Sequence, residues 1–389
     1  MLSSPARAQA RFDAAAFRAD FPALESFSHL ASCSQGAISG QLETSLGRLT
    51  AGLHHAAAPW GEWMQEWERL RRRFAAFIHA DPDEIAILPS ASAGAYQVAS
   101  SFDWSTGRPG VLTSDLEFPS VGHVLRAQGA HGADVRSVGD RHAALDAQTW
   151  TSRLDETVRL VSIPLVSYHD GAMAPLAEVT TAAHAVGAQV LVDAYQGMGV
   201  VPIDVRELDC DYLVAGTLKY MLGLAGVAFL YVRGGLTSER SPEMTGWFGR
   251  TNPFAFDPAL VDYPSSASRF EGGTPSVPSV YAAHAGLDLL EGVDQQAGWA
   301  HVRELRDGFI QALRAKGFEV SASDDEARRG PQVSIVVDDP DELALQLHER
   351  GVMTAPRGRL LRMSLHYYTV EADLQRALDA LVEITGAQR

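Results

Sequence analysis

The chain has 389 residues, 46% of them hydrophobic and 21% charged, which is enough to bury a large core and to divide into one large and one smaller domain. Its formal net charge of −16 removes the basic surface that phosphate contacts need, so no nucleic-acid partner is expected. Only Cys33 and Cys210 are present, in no metal-ligand or redox spacing, which excludes a disulfide framework and fits a cytoplasmic protein.

The first thirty residues carry scattered charges and no apolar segment, so no secretory signal is expected. The most apolar stretch, residues 223–232, is too short and glycine-rich to span a bilayer, and no membrane partner is expected. Residues 1–20 place Ala, Arg and Asp at helical spacing and predict an N-terminal arm or short helix. HLASCSQGAIS, from His29, reads as a loop of small polar residues before a helix at 41–56. Trp60, Trp63, Trp67, Leu70, Phe74 and Phe77 recur at three-to-four spacing, an amphipathic helix over 60–78 whose aromatic stripe belongs to the core. EIAILPSASAGAYQVASSF then predicts a strand, a turn of Ser, Ala and Gly, and a helix. Such a turn leaves backbone N–H groups free at a helix N-terminus, where they suit a phosphate, although the same small residues also serve as plain N-caps. GVLTS predicts a further strand before DLEFPSVGHV, and LVSIPLVSYHDGAMAPL a buried strand and loop before the helix AEVTTAAHAVGA.

The apolar run 189–192 ends in Asp193, and the run 211–215 leads through Gly216, Thr217 and Leu218 to Lys219. Runs of this length, bounded by polar and glycine residues, fit buried parallel strands, whose C-terminal edge holds ligands in open α/β sheets. Both charged groups would then face one cleft. That pair suits pyridoxal 5'-phosphate (PLP): the amine condenses with the aldehyde as a Schiff base, and the carboxylate keeps the pyridinium nitrogen protonated so that the ring accepts electrons. The plain alternative is a strand-end aspartate and a solvated lysine. Beyond them, MTGWFGRTNPFAFDP is a loop with aromatic residues and an arginine, and RFEGGTPSVPSVYAAHAGLDLL leads into a helix at 279–291. The C-terminal part alternates helices with short strands and ends in LLRMSLHYYTVEADLQRALDALVEI.

DAYQGMGVVPIDVRELDCDYLVAGTLKYMLGLAGVAFLYV resembles the lysine region of the class V aminotransferase family, which includes cysteine desulfurases, kynureninase-like enzymes and isopenicillin epimerase-like proteins. The likeness extends over most of the chain. It implies the α/β PLP-dependent transferase fold type I: after an arm at 1–20, a large PLP-binding domain over 21–275 with a mixed, mainly parallel sheet and helices on both faces, then a smaller C-terminal α/β domain over 276–389. It also implies that Lys219 carries the cofactor, that Asp193 pairs with the pyridinium nitrogen and that Gln196 lies near the ring hydroxyl. Ser92, Ala93 and Gly94 fall where the family cradles the phosphate, with Ser90 and Ser92 as the hydroxyls, and Phe118 where an aromatic ring stacks on the pyridine face. His29 falls in the segment that lines the entrance. Arg362 falls where the family binds the substrate carboxylate, a task for which a guanidinium fork is suited. Gly273 and Thr274 match a glycine-threonine-proline turn whose threonine binds the phosphate of the partner subunit, and the loop 244–258 resembles one that reaches a neighbouring site. Together they imply a homodimer with shared active sites.

Three departures stand out against the family pattern. Tyr168 replaces an asparagine, Gly216, Thr217 and Leu218 replace the serine and histidine before the lysine, and Thr369 replaces an asparagine after Tyr368. The Thr217 hydroxyl is left as a candidate phosphate donor. GVMTAPRGRLLR, residues 351–362, has no cysteine where desulfurases keep the thiol that accepts sulfur, which disfavours a persulfide mechanism. The expected chemistry is bond labilisation at the α-carbon of a small amino-acid substrate, with no metal. A carbon-sulfur β-elimination lyase is favoured over amino transfer and epimerisation, and a non-catalytic PLP-fold protein ranks last.

Overall fold

A computed structural model describes residues 12–237 and 241–386. The start of the expected arm, residues 1–11, lies outside them, and the rest forms a short helix, Ala14–Arg18, whose first turn is capped by the Asp13 carboxylate. After a short strand β1 (Ser28–His29), seven strands build the main sheet: β2 (Ile85–Leu88), β3 (Gly110–Thr113), β4 (Asp134–Ser137), β5 (Val158–Pro164), β6 (Gln189–Asp193), β7 (Tyr212–Gly216) and β8 (Ala228–Val232). Their order is β2-β8-β7-β6-β5-β3-β4. Every pairing from β4 to β7 is parallel, and β8 runs antiparallel to both of its neighbours.

β2, β3, β7 and β8 are buried along their whole length, which is why they read as continuous apolar runs rather than alternating ones. Successive side chains go to opposite faces: Leu213 and Phe229 join one core cluster, Val214 and Leu230 the other. From Trp67 to Phe77 the aromatic stripe of helix Trp60–Phe77 packs inward as its spacing predicts, with Phe74 stacked on Phe229 at a centroid distance of 3.7 Å, while Trp60 and Trp63 are only half-buried. Burying a side chain of this size stabilises by about 1.5–3 kcal/mol. Helix Ala91–Ser100 covers the other face. Buried Glu271 accepts from Arg71 Nη1 (2.6 Å), the Ile87 N–H (2.8 Å) and Trp67 Nε1 (3.1 Å). The turn carrying Gly273 and Thr274 is thereby held beside the sheet while both residues stay exposed.

The C-terminal part has its own antiparallel sheet. Its strands are β9 (Val320–Ser321) and β10 (Gln332–Val336), and then, after β11 (Val352–Met353), β12 (Ala355–Arg357) and β13 (Leu360–Ser364), in the order β12-β13-β10-β9. β1 pairs in parallel with β11, so residues 28–29, which the sequence groups with the large domain, are stitched to the C-terminal part. The seam between the two sheets is hydrogen-bonded: His366 Nε2 meets the Tyr220 carbonyl at 2.8 Å, and the Tyr367 hydroxyl donates to the Val200 carbonyl at 3.0 Å. Among the described residues no helix is long and apolar enough to cross a membrane.

Candidate active site

Asp193 closes β6, and Lys219 follows the end of the neighbouring parallel strand β7, so both emerge at the same sheet edge. The lysine turn is held by close backbone contact. A Cβ on Gly36 would lie 2.3 Å from the Lys219 carbonyl oxygen, and one on Gly199 equally close to that of Tyr220, so only glycine permits these approaches. The Gly36 N–H donates to the Leu218 carbonyl at 3.0 Å. The result aims Lys219 Nζ between two rings, 4.3 Å from the centroid of Tyr195 and 5.5 Å from that of Phe118. They share a cavity of about 210 Å³ with Asp193, Gln196 and Tyr168.

Burial pushes the Lys219 amine down to about 8, against the pull of Asp193 and with help from Arg362 and Arg357. A substantial share is therefore neutral near physiological pH, the form able to attack a carbonyl or take a proton. Asp193 accepts from the Tyr195 N–H at 2.9 Å. Beside it lies buried Glu117, which accepts from the Ser162 hydroxyl (2.8 Å) and the Phe118 N–H (3.1 Å). Burial, and then Asp193, push the Glu117 carboxyl up to about 8. Burial raises Asp193 as well, but the Tyr195 N–H, the Lys219 charge and a hydrogen bond from Glu117 all favour its carboxylate. Two adjoining carboxyls in one dry site do not both ionise, so the proton sits on Glu117 and the charge on Asp193.

A neutral Glu117 makes a definite expectation. Glu117→Gln keeps one acceptor oxygen and a donor toward Asp193 while giving up one of the two accepted bonds, so it should retain cofactor absorbance and lose only about 0.5–1.5 kcal/mol of stability. Glu117→Ala leaves the Ser162 hydroxyl and the Phe118 N–H without that acceptor and takes one donor from Asp193, which keeps the Tyr195 N–H, at a cost of about 1–3 kcal/mol for each buried group left unpaired. Denaturant melts of the two variants compare them directly, and equal losses in both would mean that Glu117 is ionised.

The phosphate end differs from expectation in detail. Ser90 caps helix Ala91–Ser100, its Oγ accepting from the Ala93 N–H at 3.1 Å, so the Ala93 donor is already used. A Cβ on Gly94 would lie 2.7 Å from Val214 Cγ1, which makes Gly94 a packing residue that lets the helix rest on β7. Ser90, Ala91 and Ser92 line the cavity, so an anion placed there would meet the first turn itself, where free N–H groups and the helix dipole favour it. Thr217 does not serve: its buried hydroxyl is directed at the carbonyls of Leu224 (2.6 Å) and Val227 (3.2 Å) and has no proton left for a phosphate.

Gln196 donates to the Cys33 carbonyl at 3.1 Å, while its Oε1 is buried with no partner, an acceptor suited to a ring hydroxyl. Tyr168 stands edge-on to Phe118 at 5.1 Å and lines the cavity. Arg362 is buried at the seam, donating through Nε to the Ala355 carbonyl (3.0 Å) and through Nη1 to the Tyr168 carbonyl (2.6 Å), and no carboxylate pairs with it among the described residues. His29 lies outside this group: its Nδ1 meets the Tyr368 hydroxyl at 3.1 Å, and burial pushes its pKa down to about 4, so it is a neutral packing residue of the β1–β11 side. Glu117 and Tyr195 escaped the sequence reading. The signals were an acid next to Phe118 and a ring between Asp193 and Gln196.

An amine, a carboxylate, an orphaned amide oxygen, a flanking aromatic and a helix N-terminus match the parts of PLP one by one. Together with the sheet they define a PLP-dependent enzyme of fold type I. The chain belongs to the aminotransferase class-V family, whose family model matches residues 35–376. It is 36% identical over 369 residues to the uncharacterized aminotransferase YcbU of Bacillus subtilis (strain 168), covering 95% of this chain and 97% of that protein. It is 29% identical over 388 residues to the probable cysteine desulfurase 2 of Mycobacterium leprae (strain TN), covering 91% and 87%. Among solved structures, the complex of the cystine C-S lyase C-DES with cysteine persulfide has the same fold, with a TM-score of 0.85 at 23% identity over 93% of this chain and 99% of that one. The protein is thus a PLP-dependent lyase or aminotransferase acting on an amino acid.

Proposed function

We propose that the protein is a carbon-sulfur lyase that eliminates a sulfur substituent from the β-carbon of an amino acid and works as a homodimer. The observation that carries this reading is the segment beside Lys219: β11, β12 and β13 bring Arg357 and Arg362 toward the amine and contain no thiol at the place where the family's desulfurases present one. The fold shared with a cystine C-S lyase supports it. When bound, PLP supplies an electron sink conjugated to the α-carbon. In this reading Arg362 grips the α-carboxylate, Phe118 keeps the ring plane and Asp193 holds the proton at the ring nitrogen. The neutral Lys219 amine takes the α-proton, the Cβ–S electron pair leaves with sulfur, and the proton held on Lys219 goes to that sulfur. With one water the sum is a thiol, ammonia and a 2-keto acid.

The name of the Bacillus relative favours amino transfer as the second reading. Incubating the PLP-loaded enzyme with an S-substituted cysteine and no keto acid separates the two. A lyase releases ammonia, pyruvate and thiol in equal amounts over many turnovers, whereas an aminotransferase stops at one equivalent of keto acid per site and frees no ammonia.

Arg362→Ala should lower kcat/KM about ten- to a hundred-fold, the worth of a charge-assisted hydrogen bond of about 1.5–3 kcal/mol. Arg362→Lys should recover little, because a point charge does not reproduce the fork. An amine lacking the carboxylate should be equally poor with parent and variant; a further loss on it would make Arg362 a support of the fold.

Thr274, exposed in the single chain, is assigned to the partner's phosphate. Mixing inactive Lys219→Ala and Thr274→Ala chains should restore one intact site per mixed dimer. A fully active monomer would end that assignment.

A further inference from the structure

Tyr168 is held between two guanidinium groups. Its carbonyl accepts from Arg362 at 2.6 Å, and its hydroxyl accepts from Arg141 Nη2 at 3.1 Å, with the Arg141 guanidinium carbon 5.8 Å from the tyrosine ring centroid. Arg141 comes from the loop after β4 and is half-buried. Its Nε is buried without a hydrogen-bond partner, and no carboxylate pairs with it among the described residues. Among the described residues the Tyr168 hydroxyl is the one hydrogen-bond partner of its guanidinium. Arg357, exposed on β12, is likewise without an acidic partner. Asp140, next to Arg141 in sequence, accepts from the Ala143 N–H at 2.9 Å, and Asp170, two residues after Tyr168, accepts from the Ala172 N–H at 3.1 Å. The shared field registers on His169, whose pKa is held low by burial first and then by Arg141, Arg362 and Arg357, with Asp170 opposing.

Acidic residues are not scarce here, since they outnumber lysine and arginine 48 to 32. A partly desolvated arginine without a carboxylate is costly unless a ligand supplies the anion. The α-carboxylate accounts for Arg362 and leaves Arg141 over, at the hydroxyl end of Tyr168, which itself lines the cavity. We propose that Arg141 forms a second anion subsite, so that the substrate is an amino acid whose side chain ends in a carboxylate or a similar oxyanion. Arg357 at the margin adds to the attraction without a fixed contact. The inference rests on the lyase reading and narrows it: the group leaving with sulfur carries the negative charge, and Arg141 holds it away from Lys219.

Two pairs of probes equal in size and different in charge test this on the PLP-loaded enzyme. They are S-carboxymethyl-L-cysteine against S-carbamoylmethyl-L-cysteine, and L-glutamate against L-glutamine. Affinity is read by equilibrium titration of the cofactor absorption and of protein fluorescence, and kcat/KM by thiol release from the first pair. The acid of each pair should be preferred about ten- to a hundred-fold, the usual effect of a charge-assisted bond. That ratio should fall toward one in Arg141→Gln and recover in part in Arg141→Lys. Equal affinity for acid and amide in the unmodified enzyme overturns the subsite and leaves the lyase reading standing, and this comparison does not depend on any variant folding. An undiminished preference in Arg141→Gln overturns the assignment to Arg141, and loss of PLP itself in that variant would assign the residue to the cofactor or the fold. If none of the four probes changes the absorption and no thiol appears, the lyase reading fails and the subsite with it.

Discussion

Lys219→Ala protein should bind PLP without a covalent link and lose turnover by about 10²- to 10⁴-fold from the missing proton transfer alone. In the parent, borohydride should fix the cofactor's mass on the peptide that contains Lys219, and label on another lysine would reject the assignment. The depressed pKa adds a pH dependence with a definite sign. Attachment needs the neutral amine, so the rate at which apo-protein takes up PLP should climb with pH and level off above about 8, the position set mainly by burial. A solvated lysine would keep accelerating toward its ordinary value near 10.5. Stopped-flow absorbance across that range distinguishes the two, and a rate still rising well past pH 9 would place the reactive lysine outside the cleft, at an exposed position.

Asp193→Asn is the second large effect expected. Asparagine fills the same space and still accepts from the Tyr195 N–H, so the fold and cofactor binding should persist. It does not balance a pyridinium charge, and removing one partner of a buried charge pair costs about 3–5 kcal/mol, equivalent to about 10²- to 10⁴-fold in rate. The variant should also lower the pKa of Glu117, because Asp193 is the second cause of its rise after burial. Near-normal turnover would show that another group manages the ring nitrogen, and an unchanged pH profile would uncouple Glu117 from it.

Part of this site was written in single stretches of chain. An apolar run that ends in a carboxylate, followed by a second that ends in a lysine, places both at one sheet edge, since parallel neighbours emerge on the same side. The Trp60–Phe77 stripe was equally readable, because its period matches the helix that forms. Phe118, Gln196 and Tyr168 were legible only through family resemblance, and they do line the cavity.

What remained hidden depends on partners far apart in the chain. The Thr217 hydroxyl looked available until the backbone folded the Leu224 and Val227 carbonyls over it. Gly94 looked like a cradle residue until β7 came within reach of its absent Cβ. His29 looked like part of the entrance until β1 paired with β11 and turned it to Tyr368. Glu117 acquires its proton, and Arg141 its lack of a counter-charge, from neighbours that the sequence does not place beside them. Local pattern therefore determined the elements and brought Asp193 and Lys219 to one sheet edge, because period and strand-end position are properties of consecutive residues. Which hydrogen-bonding groups were already spent, and which charges were left unpaired, was decided only in the tertiary structure, because a donor or a charge is satisfied by whatever the fold brings to it.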